Sequence, residues 1–350
     1  MKNKFKIGFF CRNSHADMII DLFQDALSTH PRVESVDWEW TFTRFGKKIL
    51  PEVGVRFLID NITKYDLIFV ELESIPPRRK LFDDLKLWNK IIIYDIKDDQ
   101  KIVDPTTYEY SNEYVEKPLL YIKRSWDESW LPANRKNMIP LDFGILNSYL
   151  NVIPHDYYNI RDLSITNTFI QGRRPNVPRD IITHAIKNYD WPIINDEVTQ
   201  VTLFYSTGYQ IGLGHVGYRT EQNPVPPNIN WWYVYMHILS RTKILFTGAS
   251  HSATGDTRTW EAFSRGPLVF IDQIPIPQSN PMIAGEHYIK IDVSNIENMI
   301  KQANELLKDE PGRARIAKAG YDHAVRYHSS QARVNYVMDE IIKRLQENDI

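Results

Sequence analysis

The sequence is poor in cysteine, in net charge and in long apolar runs, and each shortage excludes a class of protein. Its 350 residues include one cysteine, Cys11, so no internal disulfide can form, and a reducing compartment is expected. The formal net charge of −2 gives no overall attraction to nucleic acid or to an anionic membrane. No stretch reaches the roughly 20 apolar residues of a membrane span, and the first residues lead directly into a strand pattern. We therefore expect a cytoplasmic protein with no membrane span and no nucleic-acid partner.

The dinucleotide fingerprint is also absent. No predicted strand is followed by Gly-x-Gly-x-x-Gly, and the glycine cluster from Gly208 to Gly217 lacks the strand-to-helix context of that motif. The sequence therefore disfavours a dinucleotide-dependent oxidoreductase.

What is present is an alternation of short apolar runs with amphipathic segments. In the first half, strands are predicted at 6–10, 36–40, 65–70, 90–94 and 117–123, and helices at 16–27, 55–62 and 79–88. The near-continuous apolar run at 65–70 is typical of a parallel sheet. Residues 125–162, rich in Pro, Asn and aromatic side chains, are predicted to be an irregular connection.

A second alternation begins near Asp162, so the sequence predicts an α/β fold with two similar halves. Strands are predicted at 164–170, 191–194, 200–205, 243–247, 268–271 and 287–291, and helices at 178–188, 230–239, 257–264, 296–307, 314–327 and 331–345.

The stretch from Arg241 to Asp272 is the part most typical of a ligand site. A short strand is followed by a loop of small residues at 248–255, a good N-cap in Asp256, and a short helix. Such a loop, placed between a strand's carboxyl end and a helix N-terminus, is a common phosphate site. Arg258 and Glu261 are three residues apart and share one helix face, where they could contact phosphate and ribose. Alternatively, Glu261 pairs with Arg265 one turn later.

The motifs at 258–263 (RTWEAF) and 265–270 (RGPLVF) resemble glycosyltransferases of the GT-B fold, and more narrowly the group 1 branch with spore-coat-type and exostosin-like enzymes. The resemblance continues through Tyr288, residues 308–310 and 316–320, and ends at His328 and Arg333 on the terminal helices. It covers the chain from about Asp162 to the end.

The resemblance implies two Rossmann-like domains facing a cleft: an acceptor-side domain over 1–160 and a nucleotide-sugar donor domain over 161–330. A terminal helix over 331–350 is expected to pack back on the N-terminal domain. Glu261 would bind the donor ribose, and the loop before it the diphosphate. Retaining members often carry an acid eight residues before this glutamate, where this chain has Ala253. The resemblance therefore does not imply whether the sugar is transferred with retention or inversion of configuration.

Glycosyl transfer requires stabilisation of a leaving diphosphate, and the sequence favours cationic groups and helix termini for this task. No Asp-x-Asp occurs, so no metal and no other cofactor are expected. Arg173 and Arg174 follow a predicted strand, and Arg179 lies near the start of the next predicted helix, although these arginines could equally form a solvated turn. The predicted donor-binding residues are Gly172, Arg173, Arg174, Arg179, Tyr205, His251, Thr254, Gly255, Asp256, Thr257, Arg258 and Glu261.

The base that accepts the proton of the acceptor hydroxyl is expected in the N-terminal half, directly after a strand. His15 and Asp17 follow the first predicted strand and are the catalytic candidates, although both could simply begin a helix. Glu71 and Glu73, after the third strand, are rival bases. The sequence thus predicts a glycosyltransferase that moves a sugar from a nucleotide-diphosphate sugar to a glycan or glycoconjugate. The alternative is a non-catalytic nucleotide-sugar or glycan-binding protein of the same fold.

Overall fold

A computed structural model describes most of the N-terminal half and most of the region from residue 236 onward. The described residues are 4–11, 18–39, 43–44, 47–48, 52–96, 113–124, 126, 128–129, 131–132, 135–151, 161, 163–167, 236–237, 239–247, 257–272, 274, 276–292 and 294–348.

The N-terminal half is built on a six-stranded sheet in which every pair of neighbours is parallel. A separate antiparallel pair, β3–β4, lies outside it. The strands are β1 (Phe5–Phe10), β2 (Val33–Trp38), β3 (Thr43–Arg44), β4 (Lys47–Lys48), β5 (Leu67–Glu71), β6 (Ile91–Asp95), β7 (Leu120–Lys123) and β8 (Met138–Pro140). The sheet order is β2-β1-β5-β6-β7-β8, so the direction of winding reverses between β1 and β5.

This sheet is covered on both faces, which explains its continuous apolar runs. Leu67 and Phe69 of β5 belong to one core cluster, and Ile68 and Val70 belong to a second cluster on the opposite face. The helices of this half are α1 (Met18–Ala26), α2 (Val55–Asp60), α3 (Arg79–Asp84), α4 (Glu113–Glu116) and α5 (Asn147–Asn151). The prediction of a doubly wound α/β half is confirmed.

The second half contains a four-stranded parallel sheet of order β12-β11-β10-β9. Its strands are β9 (Leu163–Asn167), β10 (Thr242–Phe246), β11 (Leu268–Ile271) and β12 (Ile289–Lys290). The helices that follow are α6 (Thr257–Arg265), α7 (Ile296–Lys308), α8 (Glu310–His328) and α9 (Ser330–Asn348). The strands and helices predicted between residues 168 and 235 lie outside the described residues.

One hydrophobic core joins the two halves. It includes Phe9 and Phe69 of the first sheet, Leu245 and Val269 of the second, and Val337 of α9. The terminal helix packs back on the N-terminal half, as predicted. Its first residue donates from Oγ of Ser330 to Oδ2 of Asp25 (2.6 Å), and near its end Arg344 donates to the carbonyl of Lys136 (3.0 Å). The domain boundaries at residues 160 and 330 stay predictions.

The prediction of irregular structure across 125–162 is wrong in two places. Residues 138–140 form β8, and 147–151 form α5. A three-residue strand is too short to show a period, and its last residue, Pro140, is of a type disfavoured in strand interiors. The edge position of β8 tolerates proline because one side of an edge strand needs no ladder donor.

No helix in the described part of the chain is both long enough and apolar enough to cross a membrane.

Candidate functional site

Helix α6 lies where the sequence predicted it, between the carboxyl end of β10 and the start of β11. It spans Thr257–Arg265, one residue longer than predicted, and ends at Gly266, whose φ of 73° is a left-handed conformation suited to glycine. Because β10 and β11 are parallel, the helix begins at the carboxyl edge of the sheet. Ligands bind at this edge in open α/β folds. The loop at 248–256 lies outside the described residues.

The polar face of α6 is buried. Arg258 is 7% exposed and Glu261 is 3% exposed, and both make polar interactions. Charged side chains are rarely buried without partners, so a solvated helix face is excluded for this pair. Arg265, the alternative partner of Glu261, donates from Nε to Oγ of Ser240 (2.8 Å) and from Nη1 to the carbonyl of Tyr149 (2.7 Å). Thr257 begins the helix and is half-buried.

The opposite face of α6 contacts the terminal helices at the junction of the halves. Trp260 packs against the ring of His328, with ring centroids 4.8 Å apart. The guanidinium of Arg333 lies 5.2 Å from the centroid of the Trp260 ring. His328 and Arg333 carry the closing part of the sequence resemblance, and the structure brings both against the motif helix.

Backbone contacts close this junction on the N-terminal side. The amide of Ile145 donates to the carbonyl of His328 (2.8 Å), and Arg333 donates from Nη2 to the carbonyl of Phe143 (3.1 Å). A Cβ on Gly144 would lie 2.5 Å from the same His328 carbonyl, so only glycine fits there. The segment after β8 is thereby fixed to the C-terminal helices.

Burial is the main cause of the pKa shifts of three ionisable side chains at this junction between the halves, Asp142, His328 and Arg333. It raises the pKa of Asp142 to about 6, against the opposing charge of Arg333. Burial and, to a smaller extent, the nearby Arg333 cation together lower the pKa of His328 to about 2. Burial also lowers the pKa of Arg333 to about 10, although the Asp142 carboxylate favours the cation. Gln278 links the acid and the arginine: its Nε2 donates to Asp142 (3.1 Å) and its Oε1 accepts from Arg333 (2.6 Å).

Charged pairs lie at the carboxyl edge of the N-terminal sheet. Lys123 at the end of β7 donates to Oδ2 of Asp95 at the end of β6 (2.7 Å), and Tyr121 donates to the same oxygen (2.8 Å). Burial raises the pKa of Tyr121. Lys123 is 0% exposed and Asp95 is 2% exposed.

A second pair lies after β2. Glu39 accepts from the amide of Cys11 (3.1 Å) and from Nη2 of Arg78 (2.9 Å). Burial raises the pKa of Glu39, while Arg78 and the Cys11 amide oppose the shift. This carboxylate therefore lies beside the end of β1.

Of the predicted site residues, the structure describes Thr257, Arg258 and Glu261, which lie together on α6. The catalytic candidates His15 and Asp17 lie outside the described residues. So do nine predicted donor contacts: Gly172, Arg173, Arg174, Arg179, Tyr205, His251, Thr254, Gly255 and Asp256. The rival base Glu71 is the buried last residue of β5, and Glu73 follows in a single 3-10 turn.

Sequence reasoning missed Glu39, Asp95, Lys123 and Asp142 at this edge. A signal existed, because each lies at or within two residues of a strand's carboxyl end. Glu39 was placed inside the predicted strand at 36–40, and the others carried no recognisable motif.

Within the residues that the structure describes, no group of three or more His, Cys, Asp or Glu side chains could hold a metal ion. Metal independence stays a prediction.

A family model described as "Glycosyl transferase-like" matches residues 208–339, which include α6, α7, α8 and most of the second sheet. No curated protein matches the sequence. Solved structures match over nearly the whole chain, but their sequence identities are so low that the matches show only the fold.

A glycosyltransferase from Rickettsia africae ESF-5 has a TM-score of 0.62 at 9% identity, covering 98% of this chain and 99% of that one. An alpha-glucosyltransferase in complex with UDP and a 13-mer DNA has a TM-score of 0.56 at 12% identity, covering 97% and 100%. HepE from Anabaena, in complex with UDP and glucose, has a TM-score of 0.51 at 12% identity, also covering 97% and 100%. The fold is that of the GT-B glycosyltransferases.

The GT-B fold confirms the broad resemblance found in the sequence, while the narrower spore-coat-type and exostosin-like assignment stays a prediction. The expected exclusion of nucleic acid is not supported, because a GT-B structure that this chain resembles is a complex with DNA.

Proposed function

We propose that this chain is a glycosyltransferase that moves a sugar from a nucleotide-diphosphate sugar to a glycan or glycoconjugate, without a metal ion. The observation that carries the proposal is the buried Arg258–Glu261 face of α6, which begins at the carboxyl edge of the second GT-B sheet. The family match over the same segment supports it. The UDP in the HepE and alpha-glucosyltransferase complexes supports a uridine diphosphate donor.

The donor-side chemistry follows from charge. In the proposed complex, the N-terminal dipole of α6 and the cation of Arg258 stabilise the diphosphate that leaves. Glu261 accepts hydrogen bonds from the ribose hydroxyls. Burial favours both contacts, because a hydrogen bond to a charged group contributes about 1.5–3 kcal/mol net and water competes less in a dry site.

The acceptor side is proposed at the carboxyl edge of the N-terminal sheet. The order of that sheet reverses between β1 and β5, and ligands of open α/β sheets bind at such a reversal. His15 and Asp17 follow β1 directly in sequence, which supports them as the groups that remove the acceptor's proton. Glu71, at the end of β5, lies on the other side of the same reversal.

Calorimetric titration of UDP, GDP and ADP tests the donor site. We expect one of them to bind, and Glu261→Ala to weaken that binding about ten-fold, equivalent to about 1.4 kcal/mol. Glu261→Gln retains the side-chain volume and separates loss of the carboxylate from a packing defect. Glu297→Ala, on the exposed side of α7, is the matched control. If every nucleotide titrates equally into wild type and the Glu261 variants, the assignment of Glu261 is wrong.

Donor turnover distinguishes the two functions. Incubation of the UDP-sugar with oligosaccharide and DNA acceptors should consume donor only when an acceptor is present, and EDTA should not reduce the rate. The binding-protein alternative is favoured by Ala253, which replaces the acid of many retaining members. Tight donor binding without transfer or hydrolysis would establish that alternative.

A further inference from the structure

A cavity of about 600 Å³ opens at the edge of the second sheet that is formed by the amino ends of its strands. The N-terminus of α6 lies at the opposite edge. Arg161 precedes β9, Lys243 is the second residue of β10, and Gly266 precedes β11, so all three lie at the amino ends of parallel strands. The four steps from Thr242 to Phe246 along β10, at about 3.3 Å each, place this edge about 13 Å from the proposed donor edge. The cavity is therefore a separate space from the donor site.

The cavity carries a local positive charge. Its lining includes four cations, Arg161, Lys243, Arg313 and Lys318, and two carboxylates, Glu310 and Asp322. Lys318 pairs with Asp322 on the exposed side of α8. The three remaining cations, Arg161, Lys243 and Arg313, surround Glu310. This local excess of positive charge contrasts with the net charge of −2 of the whole chain.

Two of these cations are fixed by the fold. Arg161 donates from Nη1 to the carbonyls of Ser240 (3.0 Å) and Thr242 (2.7 Å), and from Nη2 to that of Arg265 (2.9 Å). Arg313 is 2% exposed and pairs with Glu310. A hydrogen bond from Arg313 holds the pKa of Glu310 below its usual range, and the charges of Lys243 and Arg161 reinforce the shift. Cations already held in place bind an anion with little loss of side-chain entropy.

The rest of the lining suits an organic group. Ala314, Ala317 and Tyr321 of α8 border the cavity, and their spacing of three and four residues puts them on one helix face. Small side chains beside an aromatic ring form a surface on which a sugar ring packs. The volume lies within the roughly 300–1,000 Å³ typical of small-molecule sites.

We propose that this cavity binds a small phosphomonoester of the size of a phosphorylated monosaccharide. The phosphate lies between Arg161 and Lys243, and the organic part packs over the alanines and Tyr321. A phosphomonoester carries a charge of about −1.5 to −2 at pH 7, which complements the excess of two cations over carboxylates in the lining. The site is independent of the donor site, so either can exist without the other.

Calorimetric titration with glucose 6-phosphate tests the proposal, with glucose and inorganic phosphate as the matched ligands. We expect glucose 6-phosphate to bind more tightly than either. Lys243→Glu should weaken binding at least ten-fold, and Lys243→Gln about three-fold. Lys301→Glu makes the same charge change on exposed α7, at a side chain 72% exposed, and should leave binding unchanged.

The outcomes are separable. Binding lost in Arg258→Ala but retained in the Lys243 variants would place the ligand at the donor edge and overturn the proposal. Equal affinity for inorganic phosphate and glucose 6-phosphate would show that the organic part makes no contact, which also contradicts it. Equal weakening by Lys301→Glu would reduce the effect to the net charge of the protein.

Discussion

The two halves of the molecule differ in how several of their buried cations are neutralised. At the carboxyl edge of the first sheet, Lys123 pairs with Asp95, and Arg78 pairs with Glu39. In the second half, three buried or half-buried arginines donate to backbone carbonyls, although the buried Arg313 there pairs with Glu310. Arg161, Arg265 and Arg333 reach the carbonyls of Thr242, Tyr149 and Phe143 respectively.

This difference bears on what each region can do. Ion pairs depend on the protonation of their carboxylates, whereas a carbonyl does not titrate. Arg265 and Arg333 both donate to segments of the N-terminal half, so part of the contact between halves does not depend on acid ionisation. The edge of the first sheet, where the acceptor is proposed to bind, includes Glu39 and Tyr121, whose pKa values are raised by burial.

The largest expected effect comes from breaking the Lys123–Asp95 pair. Lys123→Met leaves the Asp95 carboxylate buried beside Tyr121 and should lower the free energy of unfolding by about 3–5 kcal/mol. The double variant Lys123→Met/Asp95→Leu removes both charges and should recover most of that loss. Urea unfolding at pH 7 measures both. A single variant within 1 kcal/mol of wild type would contradict the distinction drawn between the halves.

A smaller loss is expected from Arg265→Met in the second half. The substitution leaves the Tyr149 carbonyl and the Ser240 hydroxyl without their guanidinium donor, and should cost about 2–4 kcal/mol. Arg265→Lys should recover only part, because one ammonium cannot reproduce two donors in a fixed fork. The part of the loss that comes from these two contacts should be the same at pH 5.5 and pH 8, since neither acceptor titrates in this range. A loss that varies by more than 1 kcal/mol between these pH values would show that a carboxylate takes part.

The junction provides a pH-dependent test. The pKa of His328 falls from 6.5 to about 2 in the folded protein, so the imidazole is buried uncharged. Its contribution to stability is fully present above pH 6.5 and is lost as pH falls below it, by up to about 1.4 kcal/mol per unit. Between pH 6.5 and 5, wild type should lose about 1.6 kcal/mol relative to His328→Phe, measured by urea unfolding.

The stability of wild type is compared with that of His328→Phe because Asp142 changes stability with pH in the opposite direction. Its pKa is raised to about 6, so its contribution is present at low pH and is lost as pH rises from about 4 through 6. Both proteins contain Asp142, so its contribution cancels in the difference between their free energies of unfolding. Parallel stability curves for wild type and His328→Phe would contradict the assignment to His328.

Local patterns predicted the fold well where the chain is regular. The run at 65–70 and the helix at 257–264 were found within two residues of their ends, because a buried strand and a short helix that ends at a glycine are specified by adjacent residues. The short edge strand β8 was missed for lack of a period. The junction could not be predicted, because Asp142, Trp260 and His328 are distant in sequence and meet only through packing. Asp95 and Lys123 could have been paired from the register of two neighbouring parallel strands.

The smallest expected effect isolates burial as the cause of the difference. Lys80 and Asp84 of α3 form a Lys–Asp pair at 2.5 Å, like Lys123 and Asp95 at 2.7 Å, but their side chains are 86% and 57% exposed. Lys80→Met should change the free energy of unfolding by less than about 0.5 kcal/mol, and 1 M NaCl should abolish even that difference. The Lys123→Met loss should persist in the same salt, because ions screen a buried pair much less. If both losses disappear in salt, the Lys123–Asp95 pair is solvated, and burial does not explain the difference between this pair and Lys80–Asp84.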